Sequence, residues 1–379
     1  MKILQKLWTK TDGWTGAQNQ SGEGNADIVF LFGATGTITD QKVLQELREN
    51  YPRSIIFGCS TAGEIHGNAV YDGSASMTAI RFDSTRVHHA GLKIQSPADS
   101  REAGRRLMSM LPQEDLVHVL ILSEGVNING SALTLGLSES LPEHIKATGG
   151  LSGDGEGWQK TLVFSPNGNP ENNQISAVGF YGKKLRVGYG SLGGWDPFGP
   201  ERKITKSSGN ILYEMDGKSA LELYKKYLGE HASGLPAAGL LFPLRLRTPD
   251  SQDGVVRTIL SVDEKEHSIT FAGDMPEGSY ARLMKANFDR LIDGASGAAQ
   301  SSSATFPRSP DLALLISCVG RKLILRQRND EEVEAVREVL GKNTTLAGFY
   351  SNGEISPLSP GANCELHNQT MTITTFSED

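Results

Sequence analysis

The sequence predicts an α/β protein with mixed parallel/antiparallel sheets flanked by helices, in two related domains with internal strand-helix-strand repeats. Three observations carry that expectation. Short apolar runs suited to buried strands alternate with helical stretches along the 379-residue chain. The strand-helix-strand order recurs. Each recurrence closes on a turn of small residues followed by an acid.

The first unit opens with an apolar strand over 26–32, ending at Gly33. A helix follows, with Thr39 as its cap, Asp40 in its first turn and Val43, Leu44 and Leu47 on one face. A second strand over 54–57 runs into Gly58-Cys59-Ser60-Thr61-Ala62-Gly63-Glu64-Ile65. The C-terminal unit repeats this order. A strand over 312–317 precedes a helix carrying Val333, Val336 and Leu340, which Gly341 stops. Next come Thr345-Leu346-Ala347 and Gly348-Phe349-Tyr350-Ser351-Asn352-Gly353-Glu354-Ile355. A third copy reads strand over 117–122, helix after Asn129 with Leu133 and Leu137, and a turn over 147–154 whose acid is Asp154. Strand-like runs over 76–82, 161–164 and 371–375 follow the three turns and suit antiparallel neighbours, because short loops cannot make a parallel crossover.

Residues 187–200 are dense in Gly and Pro and resist a regular assignment. A helix with Ala220, Leu221, Tyr224 and Leu228 opens a new region, which places a domain boundary near residue 210. The expected organisation is an N-terminal segment over 1–26 and domains over 27–210 and 211–379. Residues 294–310, rich in Ser, Ala and Gly without apolar periodicity, read as a mobile surface loop.

Composition narrows the function. A hydrophobic share of 38% and a charged share of 21% describe a folded globular chain. The net charge of −7 has the wrong sign for a nucleic-acid binder. The apolar runs are too short to span a bilayer, and Lys2, Gln5, Lys6 and Lys10 break any signal-peptide core, so the expectation is a cytoplasmic protein with no membrane partner. Cys59, Cys318 and Cys364 show no CxxC spacing, which fits a reducing compartment.

Glu64 and Glu354, each after a glycine at a strand end, are the most informative polar sites, either as ligand contacts or as acceptors for backbone N–H groups of the turn. His367-Asn368-Gln369-Thr370, read as strand, puts His367 and Gln369 on one face and Asn368 and Thr370 on the other. No G-x-S-x-G elbow occurs: the segments around Ser60 and Ser152 each lack the second glycine. Cys59 is a thiol in an apolar setting. Gly33-Ala34-Thr35-Gly36-Thr37 lacks the ending of a P-loop and reads as a turn and helix cap. Trp195 and Phe198 are candidates for a pocket wall or a satellite core. Among eight histidines no HxH or HExxH spacing appears; a haem iron needs only one, and His66 and His367 adjoin the turn and the polar segment.

Together with Gly193-Gly194-Trp195-Asp196-Pro197-Phe198-Gly199, Asp216-Gly217-Lys218-Ser219-Ala220-Leu221, Phe242-Pro243-Leu244, Pro276-Glu277-Gly278 and Ser317-Cys318-Val319-Gly320-Arg321, these motifs resemble the FIST sensory proteins from about Asp27 onward. The resemblance implies an N-terminal and a C-terminal FIST domain and a non-catalytic signal-input protein that binds a small, amino-acid-like ligand. It also implies output through a separate histidine kinase or cyclic-di-GMP enzyme, since no such region is fused here. One subgroup of the family senses nitric oxide through haem, which makes haem a possible cofactor and His367 and His66 its candidate ligands. The ligand-site candidates are Cys59, Ser60, Thr61, Gly63, Glu64, Trp195, Tyr350, Asn352, Gly353, Glu354, His367 and Asn368. The remaining alternative is an enzyme using Glu64 or Glu354 as acid/base.

Overall fold

Each of the three units builds one sheet, and the three sheets exchange hairpins in a closed cycle. A computed structural model of the chain describes residues 1–16, 24–155, 159–249, 253–359 and 361–379. In the first sheet Ile28–Gly33 pairs in parallel with Ile55–Ser60 and antiparallel with Ala75–Arg81. In the second, Leu116–Ser123 pairs in the same way with Lys146–Leu151 and Gln174–Tyr181. The third repeats the pattern with Leu312–Cys318 between Thr345–Ser351 and Met371–Glu378. Each parallel pair is joined through helix: Gln41–Asn50, Gly130–Ser140, and Val319–Leu325 with Asn329–Leu340. The copy with the weakest sequence signal is therefore structurally complete.

After its second strand each unit sends a hairpin to a neighbour. Glu64–His66, from the first unit, pairs with Thr345–Ser351 of the third. Gly353–Pro357, from the third, pairs with Lys146–Leu151 of the second. Val163–Phe164, from the second, pairs with Ile55–Ser60 of the first. Three backbone hydrogen bonds close the cycle: Ala62 N–H to Tyr350 O at 2.9 Å, Gly153 N–H to Ser60 O at 2.9 Å, and Asn352 N–H to Leu151 O at 3.1 Å. These three bonds relate equivalent positions and mark a pseudo-threefold axis. Two residues before each acceptor stands a glycine, Gly58, Gly149 or Gly348, whose added Cβ would lie 1.8 Å from a carbonyl oxygen of the adjacent strand. Only glycine permits that approach.

The strands are buried on both faces, which is why they read as unbroken apolar runs. Phe30 and Phe32 point into a core shared with Leu120, Phe180, Ile316, Phe349 and Phe376, where the three sheets meet. Phe32 stacks on Phe349 at 4.7 Å between centroids. The intervening Val29 and Leu31 face outward against Leu44 and Leu47 of the first helix. Asp40, not Thr39, caps that helix by accepting Lys42 N–H at 2.8 Å, while Thr39 ends the short helix Thr35–Ile38.

Residues between the edge strand Leu185–Leu192 and the helix Phe288–Ser303 form an inserted module. Its strands form an eight-stranded antiparallel sheet in which Asp196–Ser208 pairs with Tyr280–Lys285 on one side and Ile211–Met215 on the other; Ala220–Leu228 packs on it, and Tyr224 donates to Phe242 O at 2.7 Å. The position near residue 210 falls in the turn joining its strands Asp196–Ser208 and Ile211–Met215. At the other end Lys2–Thr9 extends the first sheet beside Ala75–Arg81; residues 17–23 of the N-terminal segment lie outside the described residues.

Three further local expectations are corrected. Residues 187–200 are largely strand, because Leu185–Leu192 pairs along its length with Met371–Glu378 and Asp196–Ser208 joins the module. Residues 294–303 are helix and not loop. Their Ala and Ser content lets the helix pack backbone against Gly188 and Gly190, where an added Cβ would meet Ser302 O at 1.9 Å and Ala298 O at 2.3 Å. The segment after His367 is a turn: Gln369 has φ +62°, so 368–370 does not alternate as a strand.

Candidate functional site

The two glutamates sit in matching corners near the pseudo-threefold axis. Glu64 accepts the Thr61 hydroxyl at 2.5 Å on one oxygen, and the Ser74 hydroxyl at 2.7 Å and N–H at 3.1 Å on the other. Glu354 accepts the Ser351 hydroxyl at 2.6 Å, and the Thr370 hydroxyl at 2.8 Å and N–H at 3.1 Å. Both side chains are fully buried. Burial pushes each carboxyl up to about 7 against the downward pull of these bonds. Gly63 has φ +146°, and an added Cβ would lie 2.5 Å from the Lys322 ammonium. Lys322 bonds Ala62 O at 2.8 Å, pairs with Asp72 and lies 5.5 Å over the Tyr350 ring.

Among the described residues the second unit lacks the corner. Val163 pairs with Cys59 as Glu64 pairs with Phe349 and Glu354 with Gly150, so the position homologous to the glutamates is Val163. Asp154, the expected third acid, instead starts an insertion between Gly153 and Thr161 and accepts Gln159 N–H at 2.6 Å and Lys160 N–H at 2.9 Å. The hydroxyl equivalent to Thr61 and Ser351 is that of Ser152. It is buried with no hydrogen-bond partner among the described residues.

The other candidates scatter. Cys59 is buried in the shared core, which pushes its thiol well above the ordinary range. Ser60 accepts Leu162 N–H at 2.9 Å through its hydroxyl. Tyr350 turns away from Glu354 and donates to Glu332 at 2.6 Å, beside the buried Arg321–Glu332 pair. Trp195 donates its indole N–H to Gln369 O at 2.9 Å and packs on Met284, Leu291 and Ile324. Gly353 lies against Leu151 and Leu366, and an added Cβ would come within 3.5 Å of the Asn368 amide nitrogen. Asn368 is 1% exposed, and neither of its amide atoms has a partner among the described residues.

Asn352 opens onto a cavity. Its Nδ2 donates to Gly125 O at 3.4 Å, and its Oδ1 is buried without a partner among the described residues. With Gly125, Leu151, Leu323 and the module's Thr258 and Ile259 it lines a space of about 490 Å³ between the core and the inserted module. Thr258 Oγ1 is likewise buried and unpartnered. Sequence reasoning missed Thr258, which lies between two module strands in no motif, and Lys322, one residue beyond a quoted motif. A second cavity of about 410 Å³ is lined by the buried Arg257 with Asp274 and Glu365.

Haem does not fit the two histidines proposed for it. His367 is fully buried with Nε2 on Ser356 O at 2.9 Å, and burial holds it down to about 4. His66 holds the Ser76 hydroxyl at 3.0 Å through Nδ1. Neither lines either cavity. Among the described residues no cluster of three His, Cys, Asp or Glu side chains is placed to hold a metal ion, and no helix is long and apolar enough to cross a membrane.

A family model described as the FIST N domain matches residues 27–218, and one described as the FIST C domain matches residues 220–357. No curated protein matches the chain. Among solved structures, a cyanuric acid hydrolase from A. caulinodans aligns with 100% of this chain and 98% of its own at 8% identity and TM-score 0.41. A second cyanuric acid hydrolase, described as evolutionary innovation by structural concatenation, aligns with 94% and 91% at 9% identity and TM-score 0.31.

Proposed function

The chain belongs to the FIST family of sensory signal-transduction domains, and from that premise we propose that it is a non-catalytic cytoplasmic receptor for a small molecule, bound between the threefold core and the inserted module. The cavity of about 490 Å³, lined by Asn352 from the core and Thr258 from the module, each with a buried polar atom unpartnered among the described residues, carries this reading. Cavities of that size suit small-molecule ligands, and buried polar groups without partners are rare enough to require an explanation.

Asn352 belongs to the core and Thr258 to the module. A ligand that satisfies both favours one relative position of the two parts, which is what a receptor needs to bias a partner. The output partner we propose is a separate histidine kinase or cyclic-di-GMP enzyme. Glu64 and Glu354, fully buried and each accepting three bonds from its own corner, act in this reading as braces of the frame. An acid/base role would require one of them to reach a substrate.

A thermal-shift screen of metabolites tests the proposal. A cognate ligand at a hundred times its dissociation constant stabilises the protein by about 2.7 kcal/mol and is recovered chemically unchanged. A compound that is turned over sinks the receptor reading.

A further inference from the structure

We infer that this cavity takes an uncharged, largely apolar molecule carrying a hydrogen-bond donor, and excludes zwitterions and anions; the inference rests on the receptor reading above. Its walls are mostly aliphatic and aromatic, with Val126, Ile128, Leu240, Ile259, Phe271 and Leu323, and the lining Asn210 commits its Nδ2 to Phe271 O at 2.7 Å. None of the described residues lining it is Lys, Arg, His, Asp or Glu. A carboxylate or ammonium moved into such a space loses its hydration and finds no counter-charge, a cost that neutral molecules avoid.

The polar atoms set the complement. The bond from Asn352 Nδ2 to Gly125 O fixes the amide so that Oδ1, an acceptor, is the unpartnered atom. Thr258 Oγ1 can donate or accept. A ligand N–H or O–H on the core side therefore satisfies Asn352, and either kind of group satisfies Thr258. At the rim, Val126 and Leu260 are 38% and 41% exposed, an apolar mouth that favours entry of an apolar body. The charged chemistry lies in the other cavity, where Arg257, Asp274 and Glu365 offer both signs.

The neutral fluorophore 1-aminoanthracene, an apolar body with one amine donor, serves as probe for the full-length chain. Saturable fluorescence enhancement at one site per chain is expected. It should be lost in Ala272→Trp and in Ala237→Trp, two independent ways of filling the cavity, each checked for an unchanged fold by circular dichroism. Asn352→Leu should weaken binding at least fivefold. Indole should displace the probe, and L-phenylalanine and L-glutamate should not. Absence of saturable enhancement, enhancement undiminished in both filled variants, or displacement by the amino acids as effective as by indole overturns the inference. If the amino acids displace the probe and stabilise the protein, the ligand class falls and the receptor reading survives. If the probe binds as expected but hydrogen exchange in the module does not change, the receptor reading falls and the ligand class stands.

Discussion

The Thr61 hydroxyl donates to the Glu64 carboxyl at 2.5 Å, and Ser351 repeats the bond to Glu354 at 2.6 Å, whereas their counterpart Ser152, in the unit that carries Val163 at the glutamate position, finds no acceptor among the described residues. Three equivalent hydroxyls should therefore differ in worth. Removing one partner of a buried bond costs about 1–3 kcal/mol, so Thr61→Val and Ser351→Ala should each destabilise the fold by that amount. Ser152→Ala should be close to neutral. Urea denaturation of the three variants checks the contrast, and equal losses would refute the equivalence drawn from the hairpin registers.

The same carboxyls predict a pH dependence. Each is raised by burial from its ordinary 4.5 to about 7. Between those values the folded chain keeps protons that the unfolded chain releases, so stability is greatest below about pH 4.5 with respect to these groups and declines as pH rises to 7. Each contributes at most about 3 kcal/mol to that decline. Glu64→Gln and Glu354→Gln should each flatten the slope, measured as the denaturant midpoint between pH 5 and 8. Glu378 works in the opposite sense: burial raises it, but the N–H groups of Asp83, Ser84 and Thr85 and the Thr85 hydroxyl outweigh burial and hold it down to about 2. Its stabilisation is present above 4.5 and is lost as pH falls toward 2, and Glu378→Gln should remove that acid-side loss.

Gly188 and Gly190 admit the helix Phe288–Ser303 to backbone contact. Gly188→Ala places a methyl 1.9 Å from Ser302 O, so the helix must shift. The expected loss is about 1–3 kcal/mol or more. An unchanged melting temperature for this variant would contradict the close packing.

Arg321 is buried against Glu332 and also donates to Gly193 O and Leu291 O, both at 2.7 Å. Arg321→Met should cost about 3–5 kcal/mol, because it removes the ionic partner of the buried Glu332 and leaves that side chain only the Ser317 and Tyr350 hydroxyls. Adding Glu332→Met should recover part of that loss. A double variant as unstable as the sum of the singles would show that the two act independently.

Much of the frame was legible in the residues because its signals are local. Apolar runs marked the paired strands, Asn129 marked a helix start and Gly341 a helix stop, and the recurring Gly-acid turns marked two of the three units. What escaped depends on partners distant in sequence. Residues 294–303 look like part of a mobile surface loop until Gly188 and Gly190 stand opposite them. Asp154 looks like the counterpart of Glu64 until the register of Val163 with Cys59 shows the insertion between them. Asn352 could be singled out from its turn, but Thr258 joins it only through the packing of module on core. No spacing within the chain records that.

Hydrogen exchange of the intact protein, with and without saturating 1-aminoanthracene, tests the receptor account most directly. The account predicts protection of the cavity walls on both sides, around 125–130 in the core and around 237–241 and 258–260 in the module, with the compound recovered unchanged. Protection confined to one side, or a bound compound that is chemically converted, would contradict it.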